Sequence, residues 1–382
     1  MLKVAFNATA LLAPLTGIGQ YAWHLASGFK SQPDLDVGLF YGNGFSREVL
    51  KAPASEQTAK ARVWVRRWVP HAYGIKRALH QRQFDAGQRK APYDLYHEPN
   101  ALALKFDGPT VITVHDLSWI RYPGTHPAER VRAMDRYFEP ALRKASLLIT
   151  DSVFVKNEIV EVFGIDPSAI LPIPLGLDPL FKPMGAAQTH AVLAPHGLAH
   201  GQYFLSVGTL EPRKNMPATI AAYASLPQAL RSRYPLVLAG MKGWRTTALE
   251  SLLKPLVQTG QVRMLGYLER SELAVVTAAA RAMIYPSLYE GFGLPPLESM
   301  GCAVPPITSN VSSLPEVVGE AGIVVDPHDI DALANAMLAL ASDDVLRATL
   351  SVKALARSAR FTWDRCVAQT VAAYRLAATT SR

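Results

Sequence analysis

The sequence has only two cysteines in 382 residues, Cys302 and Cys366. They are too few and too far apart for a disulfide framework, a zinc site or a redox pair, so the chain reads as a protein of a reducing, cytoplasmic compartment. No apolar run approaches the roughly 20 residues that span a bilayer. Asn7, Pro14 and Gly17 interrupt the apolar N-terminus, which reads as strand, turn and helix instead of a signal peptide. The sequons at Asn7 and Asn310 then carry no glycan. Repeats and low-complexity segments are absent. Charged residues are 18% against 49% apolar, a balance that excludes disordered and fibrous classes.

A chain of this length exceeds one compact core and suits two ordinary domains. Its net charge of +8 favours anionic partners: nucleic acid, phosphorylated small molecules or an acidic membrane surface. Short apolar, β-branched runs alternate with helical stretches. KVAFNA, VGLFYG, YDLYHEP, TVITVHD and ASLLITDS read as strands in the first half. YFLSVGT, PLVLAG, VRMLGYL, AMIYPS, PPITSN and GIVVDP do so in the second. Strands separated by helices imply βαβ units and parallel sheets. The expected fold is α/β, with two Rossmann-like doubly wound domains facing across a cleft. Residues 1–180 are expected to form the first half and 181–364 the second. A proline-rich linker at 171–183 joins them, and a final helix over 365–382 crosses back to the first half.

Two segments carry chemistry. In VGTLEPRKNM a strand ends at Gly208, and the next loop sets Arg213 beside Lys214. A fixed fork of donors next to a compact point charge suits a diphosphate, although a solvated basic pair reads the same way in isolation. In YEGFGLPPLESMG, Pro295 and Pro296 suit the first turn of a helix that stops near Gly301. The amides of Gly291–Leu294 and that helix start offer anion donors, and Gly291 and Gly293 let a ligand approach the backbone. Glu290 before the turn and Glu298 in its first turn would repel phosphate alone. They fit a diphosphate with hydroxyls at both ends, which is a nucleotide sugar. An acidic residue complementing a helix dipole is the plainer reading of Glu298.

EGFGLPPLE resembles the E-x7-E signature of retaining glycosyltransferases, and EPRKN resembles their donor-phosphate loop. With TGIGQYAWHL, TVHDLSW, ITDSVFVKNEI and IPLGLD in the same order, nearly the whole chain is similar to glycosyltransferase family 4 of the GT-B fold. The resemblance makes the first half the acceptor-binding one and the second the donor-binding one. It implies that Glu298 holds the donor ribose and that Glu290 contacts the transferred sugar. Phe292, Gly293 and Leu294 would present amides, and Gly266, Tyr267 and Leu268 would lie by the base. Arg213 and Lys214 would neutralise the leaving diphosphate in place of a divalent cation, consistent with the lack of an Asp-x-Asp motif in the donor loops; no cofactor is expected. Gly17 and Gly19, in a turn between strand and helix, would approach the diphosphate from across the cleft. His115 would face the sugar there, with Asp116 orienting its loop. The catalytic set is then Glu290, His115, Arg213 and Lys214.

The opening motifs are most similar to bacterial mannosyl- and rhamnosyltransferases of O-antigen synthesis. They imply GDP-mannose or GDP-rhamnose as donor and a lipid-linked glycan as acceptor; a UDP- or ADP-sugar is the alternative. Residues 61–84 interleave Trp64, Trp68 and Tyr73 with Arg66, Arg67, Lys76 and Arg77, a pattern for the headgroup zone of an anionic membrane. The expected place is therefore the inner face of the cytoplasmic membrane. Epimerases and phosphorylases of similar fold fit the motifs less well. A nucleic-acid-binding protein rests on charge alone, since the basic residues outside 62–82 are scattered.

Overall fold

The computed structural model describes residues 1–13, 17–50, 72–241 and 247–380. Two parallel sheets organise it. The first comprises β1 (Leu2–Asn7), β2 (Leu35–Phe40), β3 (Phe45–Ser46), β4 (Leu95–Glu98), β5 (Thr110–Val114), β6 (Leu147–Thr150) and β7 (Ile170–Pro172). Their order is β3-β2-β1-β4-β5-β6-β7, and only β3 is antiparallel to its neighbour. The second comprises β8 (Phe204–Val207), β9 (Leu236–Ala239), β10 (Val262–Gly266), β11 (Ala282–Tyr285), β12 (Pro306–Ser309) and β13 (Ile323–Val325), ordered β10-β9-β8-β11-β12-β13. All eleven strand segments read from the sequence are strands. The inner strands are largely apolar because helices cover both faces: every residue of β4, β5, β6, β8, β9 and β11 is buried. The edge strand β10, buried at Val262, alternates beyond it between half-buried and exposed positions.

Two strands escape the sequence reading. β3 is a two-residue edge strand. β7 occupies 170–172, inside the segment expected to be linker. Its proline sits at the strand end on an edge, where the missing N–H costs no ladder bond.

In each sheet the order reverses direction once, between β1 and β4 and between β8 and β11. Loops leaving such paired strands diverge and open a crevice at their carboxyl ends.

The chain passes between the halves at two adjacent points. Leu177 N–H donates to the Phe361 carbonyl at 2.9 Å. A Cβ on Gly176 would come within 2.2 Å of Trp363 N. The helix Trp363–Thr380 then lies against the helix Gly17–Gly28 of the first half. It buries Val367, Val371, Tyr374 and Ala377 in one core with Val4, Phe6 and Leu25. Each large side chain so buried stabilises by about 1.5–3 kcal/mol. Phe292, Leu297 and Met300 of the second half join the same core, so apolar contact continues between the halves.

Candidate functional site

The loop after β8 and the loop after β11 meet at the second sheet's crevice. Pro212–Lys214 form a short turn, and Asn215, at φ +55°, turns the chain into the helix Met216–Ser225. Asn215 Nδ2 pins this loop by donating to the carbonyls of Pro286 (3.1 Å) and Pro327 (2.7 Å). Arg213 then reaches Glu290 Oε2 at 3.0 Å and the Tyr289 carbonyl at 2.7 Å through Nη1, while Nη2 reaches Glu211 at 2.8 Å. Lys214 Nζ donates to Glu290 Oε1 at 2.6 Å and to the Tyr285 hydroxyl at 2.7 Å. The Tyr285 hydroxyl in turn donates to Glu290 Oε1 at 2.9 Å.

The carboxylate expected to repel phosphate is therefore neutralised by the two cations beside it. Burial pushes the Glu290 carboxyl up, but the charges of Arg213 and Lys214 outweigh it and hold the group at about 2. Burial and the neighbouring Arg213 push Lys214 down against the pull of Glu290. Arg213 moves up despite burial, because Glu290, Asp116 and Glu211 surround it. Two cations face two carboxylates, Glu290 and Glu211, so the charges of the cluster balance and hold both cations in place.

Glu298 departs from expectation in position and partner. The helix runs Leu294–Gly301, capped by Gly293 at φ +110° with prolines in its first turn. Glu298 is its fifth residue and so lies in the second turn, beyond the dipole's strongest reach. Its partner is Arg270, whose Nη2 lies 2.7 Å from Glu298 Oε1 while Nε binds Asp178 Oδ2 at 3.0 Å. Burial raises the Glu298 carboxyl, and Arg270 offsets this only in part. Arg270 follows Gly266, Tyr267 and Leu268 directly after β10. Gly266 turns at φ +69°, Tyr267 is half exposed and Leu268 packs into the core. Arg270 was not among the candidates. Its sequence neighbours mark it as an ordinary helix-start cation, and only the fold brings Glu298 and Asp178 to it.

Across the cleft, Gly17 and Gly19 open the helix Gly17–Gly28 itself and do not sit in a preceding turn. A Cβ on Gly17 would lie 3.9 Å from Leu294 Cδ1, so two helix N-termini face each other there. His115, expected to face the sugar, has a partner at each ring nitrogen. Its Nδ1 lies 2.7 Å from Asp151 Oδ2 and its Nε2 lies 2.9 Å from the Pro99 carbonyl. Burial would lower the imidazole, but Asp151 and the Pro99 carbonyl bring it above its ordinary value. With both ring nitrogens committed to the protein, His115 offers the cleft its backbone. A Cβ on Gly291 would come within 1.8 Å of the His115 carbonyl, so glycine alone permits this approach.

The halves also touch through Ser152, whose Oγ donates to the Gly291 carbonyl at 2.7 Å. The Leu117 amide donates to the Tyr289 hydroxyl at 2.9 Å, and that hydroxyl donates to Glu158. Phe292 turns its ring into the shared core against Phe361, and its carbonyl accepts from the Ser313 hydroxyl at 2.9 Å.

Of the membrane candidates, Trp64, Arg66, Arg67 and Trp68 lie outside the described residues. Lys76 is exposed on the helix Ala72–Lys90. Arg77 is not available to a membrane. Its Nη1 donates to the Leu102 carbonyl at 3.0 Å, Nη2 donates to that of Ala103, and its guanidinium lies over the Tyr137 ring. Among the described residues, no helix is long and apolar enough to cross a membrane.

Comparison with known proteins agrees with this architecture. The description "Glycosyltransferase Family 4" matches residues 15–180, and "Glycosyl transferases group 1" matches 195–357. O-antigen chain mannosyltransferase B of Escherichia coli is 36% identical over 381 residues, covering 98% of this chain and 100% of that protein. Sucrose-phosphate synthase from Thermosynechococcus elongatus superposes with a TM-score of 0.77 at 21% identity, over 98% of both chains. Anabaena HepE in complex with UDP-glucose superposes with a TM-score of 0.71 at 18% identity, over 98% of this chain and 100% of its own. Two facing doubly wound sheets with a charged junction at the second switch point, and a relative matched over its full length, make this chain a glycosyltransferase of family 4 with the GT-B fold.

Proposed function

We propose that the protein transfers a hexosyl residue, mannose or D-rhamnose, from a GDP-sugar to a lipid-linked glycan during bacterial surface polysaccharide synthesis, with retention of anomeric configuration. The observation that carries this reading is the junction of Arg213, Lys214 and Glu290, with the helix starts at Gly17 and Leu294 lying close to each other beside it. The name of the Escherichia coli relative supports mannose as the sugar and an O-antigen chain as the acceptor.

In this reading the diphosphate lies between the helix starts at Gly17 and Leu294, against Arg213 and Lys214. Glu290 fixes the sugar and Glu298 the ribose. As the bond from the anomeric carbon to the phosphate oxygen breaks, the two cations and the amides stabilise the charge left on the diphosphate. Preorganised donors of this kind contribute several kcal/mol. The acceptor hydroxyl attacks the same face, its oxygen bonds to the anomeric carbon, and its proton passes to the departing phosphate oxygen. Arg213 and Lys214 take the place of a divalent cation.

A UDP-sugar donor is the second reading, favoured by the UDP-glucose seen in the HepE structure. Thermal stabilisation by a panel of nucleotide sugars separates the two, since a ligand that binds only the folded state raises the melting temperature. A shift with GDP-mannose that disappears in Glu298→Ala supports the first reading; a shift with UDP-glucose alone selects the second. An inverted anomeric configuration in the product, seen by NMR, sinks the retaining mechanism. The acceptor places the enzyme on the inner face of the cytoplasmic membrane; failure to sediment with anionic liposomes at low salt sinks that placement.

A further inference from the structure

Beside the donor site lies a cavity of about 430 Å³ that shares none of its candidate residues. Its volume falls within the range of small-molecule sites, about 300–1,000 Å³. Both halves of the protein build it. Tyr122 and Phe154 come from the first half and Tyr289 and Ser312 from the second, and Arg121 and Glu158 of the first half also line it. The Tyr289 ring stands between the other two, its centroid 5.7 Å from that of Tyr122 and 5.8 Å from that of Phe154.

The cavity shares a wall with the reaction centre. Tyr289 and Glu290 leave the same loop in different directions: Glu290 turns to Arg213 and Lys214, Tyr289 to Glu158 and the Leu117 amide. The Tyr122 hydroxyl donates to the Leu288 carbonyl at 3.3 Å. Ser312 is held at φ +58°, a costly conformation for a residue with a Cβ. There its Oγ accepts from the Glu290 amide at 3.0 Å, and the residue lines the cavity.

The charges define the occupant. Arg121 binds Glu158 at 2.8 Å and Glu161 at 3.2 Å, so one cation faces two carboxylates. That excess of negative charge disfavours phosphate, whereas the cations and carboxylates of the neighbouring cluster balance. Aromatic walls with carboxylates and a hydroxyl suit an uncharged ring bearing many hydroxyl groups. We infer that this cavity is a saccharide subsite, holding a sugar of the acceptor glycan next to the one that is extended. The inference rests on the glycan-acceptor reading above. Because each half supplies part of the wall, the subsite is complete only when the halves meet, which couples acceptor length to closure.

The test titrates the full chain with mannotriose by calorimetry, with and without GDP, and repeats this for two variants. Phe154→Ala removes one wall, and Val311→Trp fills the cavity from the loop after β12. Each is expected to weaken mannotriose about tenfold, the effect of losing or blocking one aromatic contact. The thermal shift produced by the donor nucleotide should stay unchanged in both. Equal affinity in wild type and both variants overturns the subsite, as does a wild type that binds no mannotriose. Competition between mannotriose and inorganic phosphate for the cavity also overturns it. Loss of all nucleotide-sugar shifts, with mannotriose binding still dependent on Phe154 and Val311, sinks the donor reading and leaves the subsite standing.

Discussion

Arg270 pairs with Glu298 at 2.7 Å, with the carboxylate almost wholly buried. Through Asp178 the same guanidinium reaches the segment that joins the two halves. The carboxylate proposed to hold the ribose is thus tied to the interdomain crossing through one side chain.

Arg270→Ala leaves Glu298 buried without its cation. Breaking a buried pair from one side costs about 3 kcal/mol, and urea denaturation should read a loss of that size. Glu298→Gln in the same background should restore part of it, since it removes the stranded charge. Burial favours the protonated form of Glu298 in the fold, above its ordinary value of 4.5. The variant's deficit should therefore grow as pH rises above about 4.5 and shrink below it. A deficit independent of both pH and the second substitution contradicts the pairing.

Glu290 gives the opposite sign. Its folded value of about 2 lies below the ordinary 4.5, so its contribution is complete above 4.5 and lost as pH falls toward 2. The stability difference between wild type and Glu290→Gln should stay constant above pH 5 and narrow below it. Loss of the sugar contact should also lower kcat by about 10²–10³-fold. A flat difference from pH 6 to pH 3 rules out the cation-held carboxylate.

Arg213→Lys keeps the charge but not the fork. Arg213 binds the Tyr289 carbonyl, Glu290 and Glu211 together, a planar pattern that an ammonium cannot reproduce. Steady-state kinetics with the donor found by thermal screening should show kcat/KM reduced about 10²-fold. Full activity in the lysine variant makes Arg213 a simple point charge.

Gly291→Ala places a methyl group within 1.8 Å of the His115 carbonyl. The halves must then part, while Arg213, Lys214 and Glu298 stay together in the second half. Nucleotide-induced thermal stabilisation should persist, kcat should fall at least about 100-fold, and small-angle scattering should show an expanded particle. An active, compact variant contradicts closure through this contact.

Apolar periodicity located eleven strands, because a strand covered on both faces must be apolar along its length. The edge strands β3 and β7 were not legible for the complementary reason: two residues show no period, and proline-rich sequence reads as linker. The segment YEGFGLPPLE stood out because its glycines, prolines and carboxylates lie within a few neighbouring positions. The partners of His115 and Arg77 were not legible because each residue looks free in its own segment. Asp151 stands 36 positions from His115, and Leu102 stands 25 from Arg77.

Taken alone, the order of residues dictates two α/β halves and puts cations after one strand and carboxylates after another. Local periodicity and turn chemistry suffice for that. The folded chain settles which charges meet: Lys214 with Glu290 across 76 positions, Arg270 with Asp178 across 92. Parallel strands bring their carboxyl ends together whatever their separation along the chain. Partnership there depends on sheet order and on the contact between halves, which no local pattern encodes.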